Sequence, residues 1–322
     1  MISEIFDRLS TVLERRFLKN AFLPVLVFPL AVAAPVLLQN ERADVSVRVW
    51  ESLPTGAKLF ALFAYFSACW FAAAIVASQW RNIIRLYEGY PLESWPLLRD
   101  VGKRWHATQR HGMVFPPPDD RTLYLRYSTY PEFPMGVLPT RLGNVMRAAE
   151  THALRRYEAE TILLWPRLTH VLPRETINDI AEARATLEFL LVLSLWCVGF
   201  GLTNVLTAVF FHGAPSIAAL LFAFGVLGAY CSYASAIPIA AEYAEHVRCT
   251  FELYRLDLLD RLRIPAPKDL QEEREIWWKL CAFIRGGAEV DWLYGSGVSE
   301  QVVRIGDIES AHDRGATQPQ PP

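Results

Sequence analysis

Three stretches of the chain are apolar over lengths that a bilayer demands. A hydrocarbon core about 30 Å thick takes about 20 apolar residues at a rise of 1.5 Å, and charge at its centre is costly. The stretch from Asn20 to Asn40 (AFLPVLVFPLAVAAPVLLQ between them) carries no charge, and neither does Leu59 to Trp80. From Phe189 to Ala241 no Asp, Glu, Lys or Arg occurs, which is too long for one crossing, and His212-Gly213-Ala214-Pro215 interrupts the run. These runs lack the polar face of a soluble amphipathic helix. The pattern predicts an all-α integral membrane protein with four transmembrane helices, one hairpin within residues 21–80 and a tight second one within 187–240. Pro24, Pro29 and Pro35 should bend the first span, because each removes a backbone donor and the freed carbonyls then need neighbours.

Helical periodicity continues outside the apolar runs. Residues 1–20 are charged and amphipathic and read as an uncleaved helix leading into the first span. The second span is expected to run on until Gly89 and Pro91 stop it. A polar, proline-punctuated stretch follows, with Phe115 to Asp120 as a turn or exposed polyproline segment and Leu123, Leu125 and Tyr127 alternating as in a short strand. Thr140 is a candidate cap for a helix whose Leu142, Val145, Met146, Ala149 and Ala153 share one face. Arg174 to Ala185 should run into the third span without a break, and the fourth should extend to about Ile264, before Pro265 and Pro267. An amphipathic helix from Asp269 to Ile284 comes last, and residues 309–322, rich in Gln and Pro, are expected to be disordered. The layout is therefore helical extensions and a mainly helical cytosolic portion, 81–186 and 241–308, around two transmembrane hairpins.

Charge sets the orientation. Arg8, Arg15, Arg16 and Lys19 precede the first span, Arg81 and Arg85 follow the second, and Arg248, Arg255, Arg261 and Arg263 follow the fourth, whereas the hairpin turn has no Lys or Arg. Basic flanks stay in the cytosol, so both termini are placed there, in a bacterial inner membrane. The formal net charge of -2 leaves no global basic field for nucleic acid. Cys69, Cys197, Cys231, Cys249 and Cys281 form no CxxC pair, so neither a disulfide frame nor a metal site is inferred.

The segment PTRLGNVMRAAE (139–150), followed by RYEAETILLWPRL (156–168), resembles a family of uncharacterised bacterial multi-pass, four-span membrane proteins. The resemblance implies architecture and carries no activity.

No catalytic triad signature, GxSxG, Walker loop or GxGxxG occurs, and His106 and His111 are five apart, unlike an HExxH pair; no enzyme, metal or other cofactor is expected. Two sets of residues stand out. On the fourth span Gly225, Gly228, Ser232 and Ser235 recur at three or four residues, and the stripe continues to Glu242. Small residues let helix backbones approach within one molecule. The alternative is that copies of these helices surround an aqueous path, with Glu242, and Glu245 beside it, as a carboxylate ring at its mouth. The second set is basic: Lys103, Arg104 and Arg110 in one cluster, Arg141 and Arg147 in another, placed to meet anionic lipid or a protein partner, or simply solvated and ion-paired. The sequence thus leads to a homo-oligomeric channel or pore-like protein passing small ions through a cytosolic helical vestibule. The alternative is a membrane-anchored sensor or scaffold whose cytosolic helices bind a protein partner or anionic lipid.

Overall fold

In the computed structural model, residues 17–39, 42–111, 127–132, 136–211 and 214–287 are described. Among them every regular element is a helix. A π turn, Leu18–Phe22, opens α1 (Leu23–Gln39); α2 (Arg42–Ser52), α3 (Thr55–Ser78) and α4 (Trp80–Glu88) follow. After a 3₁₀ turn, Pro91–Ser94, come α5 (Pro96–His111), α6 (Arg141–Tyr157), α7 (Thr161–Leu168), α8 (Arg174–Phe211), α9 (Pro215–Arg261) and α10 (Leu270–Gly286).

Three of these, α3, α8 and α9, are long and apolar enough to cross a membrane, and α1 is a shorter apolar helix. Little of their apolar surface is covered: Phe60, Phe63, Phe71, Val209 and Phe210 are all about 70% exposed. Bare phenylalanines in such number suit lipid and not water. The chain is a membrane protein.

The sequence between the apolar runs holds two helices that its pattern did not announce. Arg42–Ser52, in the link between the first two apolar runs, is α2, and the proline-punctuated stretch contains α5. The proposed strand is not found at Tyr127, whose carbonyl instead accepts from the Tyr130 amide in a turn (3.1 Å). Leu123, Leu125, the Phe115–Asp120 segment, the first sixteen residues, the His212-Gly213 turn and the tail lie outside the described residues. Arg174 onward is one helix of 38 residues, and α9 runs for 47, ending at Arg261.

The described chain divides into two compact units. One comprises residues up to His152 with Pro173–Cys249; the other comprises Ala153–Leu172 with the residues from Thr250 on.

In the first unit, α1 lies against α3 and α8. Pro29 has no amide hydrogen for the Val25 carbonyl, and the Cys69 thiol of α3 reaches that oxygen instead (3.9 Å). One residue on, the Tyr65 hydroxyl donates to the Leu26 carbonyl (2.6 Å), and Phe28 packs on Trp196 of α8 with ring centroids 4.4 Å apart. The α8–α9 hairpin is tied by two serines: Ser194 Oγ donates to the Ala229 carbonyl (3.0 Å) and Ser232 Oγ to that of Leu190 (2.8 Å). These bonds fix an antiparallel register in which Ser232 stands level with Leu190, so Ala236 to Pro238 stand level with Arg184 to Thr186. Charge therefore reappears on α8, at Glu188 and Arg184, beside the stretch Tyr233–Pro238 of α9. The Arg184 guanidinium lies 3.9 Å above the Trp80 ring at the start of α4 and pairs with Glu188 (2.9 Å). Trp80, Arg184 and Glu188 mark one rim of the apolar layer.

The second unit packs α7 and α10 with the last part of α9 around Trp277, Phe251, Leu164 and Leu168, all fully buried. The Arg255 guanidinium donates to Glu273 Oε1 (2.7 Å) and lies over the Tyr157 ring (4.3 Å), and Trp277 Nε1 donates to the same carboxylate oxygen (3.2 Å). Glu158, at φ 58°, breaks the helical run between α6 and α7. Asp269 caps α10 by accepting from the Gln271 and Glu272 amides (2.9 Å each).

Candidate functional site

The small-residue stripe on α9 divides in two. A Cβ built on Gly225 would stand 2.6 Å from the Cys197 carbonyl and 2.9 Å from the Gly201 amide, and one on Gly228 would stand 3.1 Å from the Cys197 thiol. With Ser232 bonded to Leu190, three members of the stripe face α8 of the same chain. Ser235 and Glu242 are exposed. Glu245 is engaged elsewhere: Arg248 clamps one of its carboxylate oxygens through two nitrogens (2.6 and 3.0 Å) and also donates to the Ser128 carbonyl (2.9 Å).

The densest constellation in the first unit gathers around the loop Pro139–Asn144, where α4, α5 and α6 meet. Gly89 ends α4 in the left-handed region (φ 89°), and a Cβ there would come within 2.8 Å of Pro139 and Thr140. Gly143 stands against the Glu88 carbonyl, so closely that no side chain fits. Thr140 Oγ1 accepts from the Gly143 amide (3.1 Å), the cap expected from the sequence. Asn144, fully buried, accepts from the Leu138 amide (2.8 Å) and donates to the carbonyls of Leu138 and Thr140 (2.9 and 2.8 Å). Its side chain satisfies the backbone that a tight loop leaves open.

Beneath this loop sit two carboxyls. Glu88 is buried, and burial above all, with the Glu150 charge next, raises its pKa from 4.5 to about 7 against the opposing pull of Arg85. Burial also raises Glu150, which Arg147 opposes. The Tyr90 hydroxyl feels both carboxylates and both arginines, and Tyr243 of α9 faces Glu150, Glu188 and Arg184. A buried carboxyl with a second carboxylate nearby disfavours its own charge, so Glu88 holds its proton close to neutrality. Nothing local marks Glu88, which lies among Arg85, Tyr87 and Tyr90 in what reads as an exposed helix end.

On the other side of the loop is a groove of about 590 Å³ whose walls include Tyr87, Trp105, Tyr230, Tyr233 and Ile237, with Arg141 at its edge. Tyr87 and Tyr233 stack (centroids 5.8 Å), and the Tyr233 hydroxyl accepts from the Leu142 amide (3.4 Å). His106, buried in the groove wall, shares a hydrogen bond with the Tyr130 hydroxyl (2.9 Å). Burial, then the Arg141 charge, lowers its pKa to about 4, so it is neutral.

The basic residues singled out from the sequence are spread around this constellation. Lys103 is paired with Glu93 (2.7 Å), Arg110 is half-buried, and Arg147 answers Glu150. Arg104 and Arg141 are exposed. Arg104 borders a face of α5 that is otherwise apolar and bare: Leu97, Val101 and Trp105 are 78%, 61% and 56% exposed. Among the described residues no group of His, Cys, Asp and Glu is placed to hold a metal ion. No family model, curated protein or solved structure matches the chain.

Proposed function

We propose that the protein is a membrane-anchored sensor or scaffold of a bacterial inner membrane, with both termini and residues 81–186 on the cytosolic side. In this reading its surface helix α5 lies in the lipid interface and responds to anionic lipid. The observation that carries it is the outward face of α5. Leu97, Val101 and Trp105 recur every four residues, Trp95 precedes them, and Arg104 flanks them, the layout of a helix half-sunk among headgroups. The height fits as well, since Trp105 shares a groove with Tyr230 and Ile237, at the rim marked by Trp80, Arg184 and Glu188. Anionic lipid attracts each basic residue near the surface by about 1 kcal/mol. Hydrogen–deuterium exchange of residues 96–111 in nanodiscs tests the reading. Amides of α5 should exchange more slowly in anionic than in neutral lipid, and equal exchange in both would remove the sensing role.

A second reading, a homo-oligomeric channel, is favoured by Glu242 and Ser235, which remain exposed on α9 while the glycines above them are taken up by α8. Copies arranged about these residues would form a carboxylate ring. Cation flux through proteoliposomes that falls on Glu242→Gln would favour it over the sensor.

A further inference from the structure

The structure points to a specific site for an anionic phospholipid: we infer that the groove between α4, α5 and α9 takes one acyl chain along Tyr230, Ala234 and Ile237, with the phosphate held by Arg141. The inference rests on the proposed placement of α5 at the lipid interface and adds to it a bound ligand of defined chemistry.

The groove has the two parts such a lipid needs. Its walls are aromatic and aliphatic, supplied by Tyr87, Trp105 and four α9 residues, Tyr233 among them, and it is open to the outside of the protein at the level where the apolar layer ends. Its single ionised lining residue is Arg141, because His106 is neutral. Arg141 is exposed and forms no ion pair among the described residues, unlike Lys103, Arg184 and Arg248, which are all matched by carboxylates. A guanidinium left unmatched beside an apolar slot suits a phosphate whose remainder is apolar. The end of α6 does not provide the anion site itself, since the Leu142 and Gly143 amides are already taken by Tyr233 and Thr140. The phosphate therefore depends on the Arg141 side chain. A free phosphate has no use for the slot, and a zwitterionic lipid brings its own cation to compete with Arg141.

Photo-crosslinking in membranes tests this. The intact protein is reconstituted with phosphatidylglycerol bearing a diazirine on its acyl chain, and labelled peptides are mapped by mass spectrometry. Labelling is expected on 230–237 and on Leu86–Tyr87. Unlabelled phosphatidylglycerol should compete it away, whereas phosphatidylcholine and glycerol phosphate should not. Arg141→Gln should lower it about tenfold, the loss of one charge-assisted contact. Ala234→Phe, which fills the slot and leaves Arg141 in place, should lower it comparably. Labelling of α5 at Leu97–Val101 without labelling of the groove, or groove labelling indifferent to both substitutions, would overturn the lipid site while leaving α5 in the interface. No labelling of α5 would instead overturn the placement on which both rest.

Discussion

Replacing Glu88 by Gln should make the protein more stable at alkaline pH and flatten its stability profile. The Glu88 carboxyl is buried, with Glu150 as neighbouring charge and Arg85 as opposing cation, so its pKa stands at about 7 in the folded protein against 4.5 ordinarily. A raised carboxyl favours folding while it is protonated. Its contribution is full below pH ~4.5 and falls as pH rises towards about 7, where the folded protein finally loses the proton. At 1.36 kcal/mol per unit, that shift is worth about 3 kcal/mol. Glutamine keeps the shape and cannot ionise. Thermal unfolding of wild type and Glu88→Gln, followed by thiol-reactive dye in detergent from pH 4.5 to 8.5, measures the difference. The curves should coincide at acid pH and separate by about 5–10 °C above pH 7. Parallel curves across the range would refute the argument, for they would mean that Glu88 is ionised and solvated in the folded protein.

Further substitutions probe the packing. Gly225→Ala should cost about 1–3 kcal/mol, read as a lowered unfolding temperature, because its Cβ meets the Cys197 and Gly201 backbones; Gly228→Ala should cost less, since it meets only the Cys197 thiol. Gly143→Ala, pressed against the Glu88 carbonyl, should destabilise the protein and expose 139–144 to protease, whereas Gly56→Ala, which meets nothing, should do neither. Glu273→Ala strips the half-buried Arg255 and the buried Trp277 indole of their shared acceptor and should cost about 2–3 kcal/mol, measurable by chemical denaturation, with Glu273→Gln costing less.

The parts of this molecule that were legible in the sequence are those that a bilayer or a local bond dictates. Charge-free runs of span length, the capping role of Thr140, the start of the last helix at Asp269, the stop at Gly89 and the close packing of small residues on α9 all follow from neighbours in the chain. What was hidden depends on partners far along it. Gly143 and Asn144 read as polar interruptions until α4 is seen to end beneath them, more than fifty residues earlier. Glu88 has the sequence surroundings of a solvated helix end, and only tertiary burial makes it a proton-holding group. In α5 the basic cluster of Lys103, Arg104 and Arg110 dominates the pattern, and the period-four row of Leu97, Val101 and Trp105 between the charges is too sparse to mark an apolar face. The stripe from Gly225 to Glu242 looked continuous because spacing alone cannot say which neighbour covers it, and α8 covers only the upper part.

The placement of α5 is the claim on which sensing and lipid binding both depend. Spin labels introduced one at a time from Leu97 to Thr108, in protein reconstituted into anionic bilayers, report depth through their relative accessibility to oxygen and to a water-soluble nickel chelate. The account predicts an oscillation with helical period, in which positions 97, 101 and 105 reach the headgroup–acyl boundary and positions 102 and 106, which face Pro139 and Tyr130, remain shielded by protein. A profile in which 97, 101 and 105 are as accessible to the nickel chelate as a label in water would contradict it.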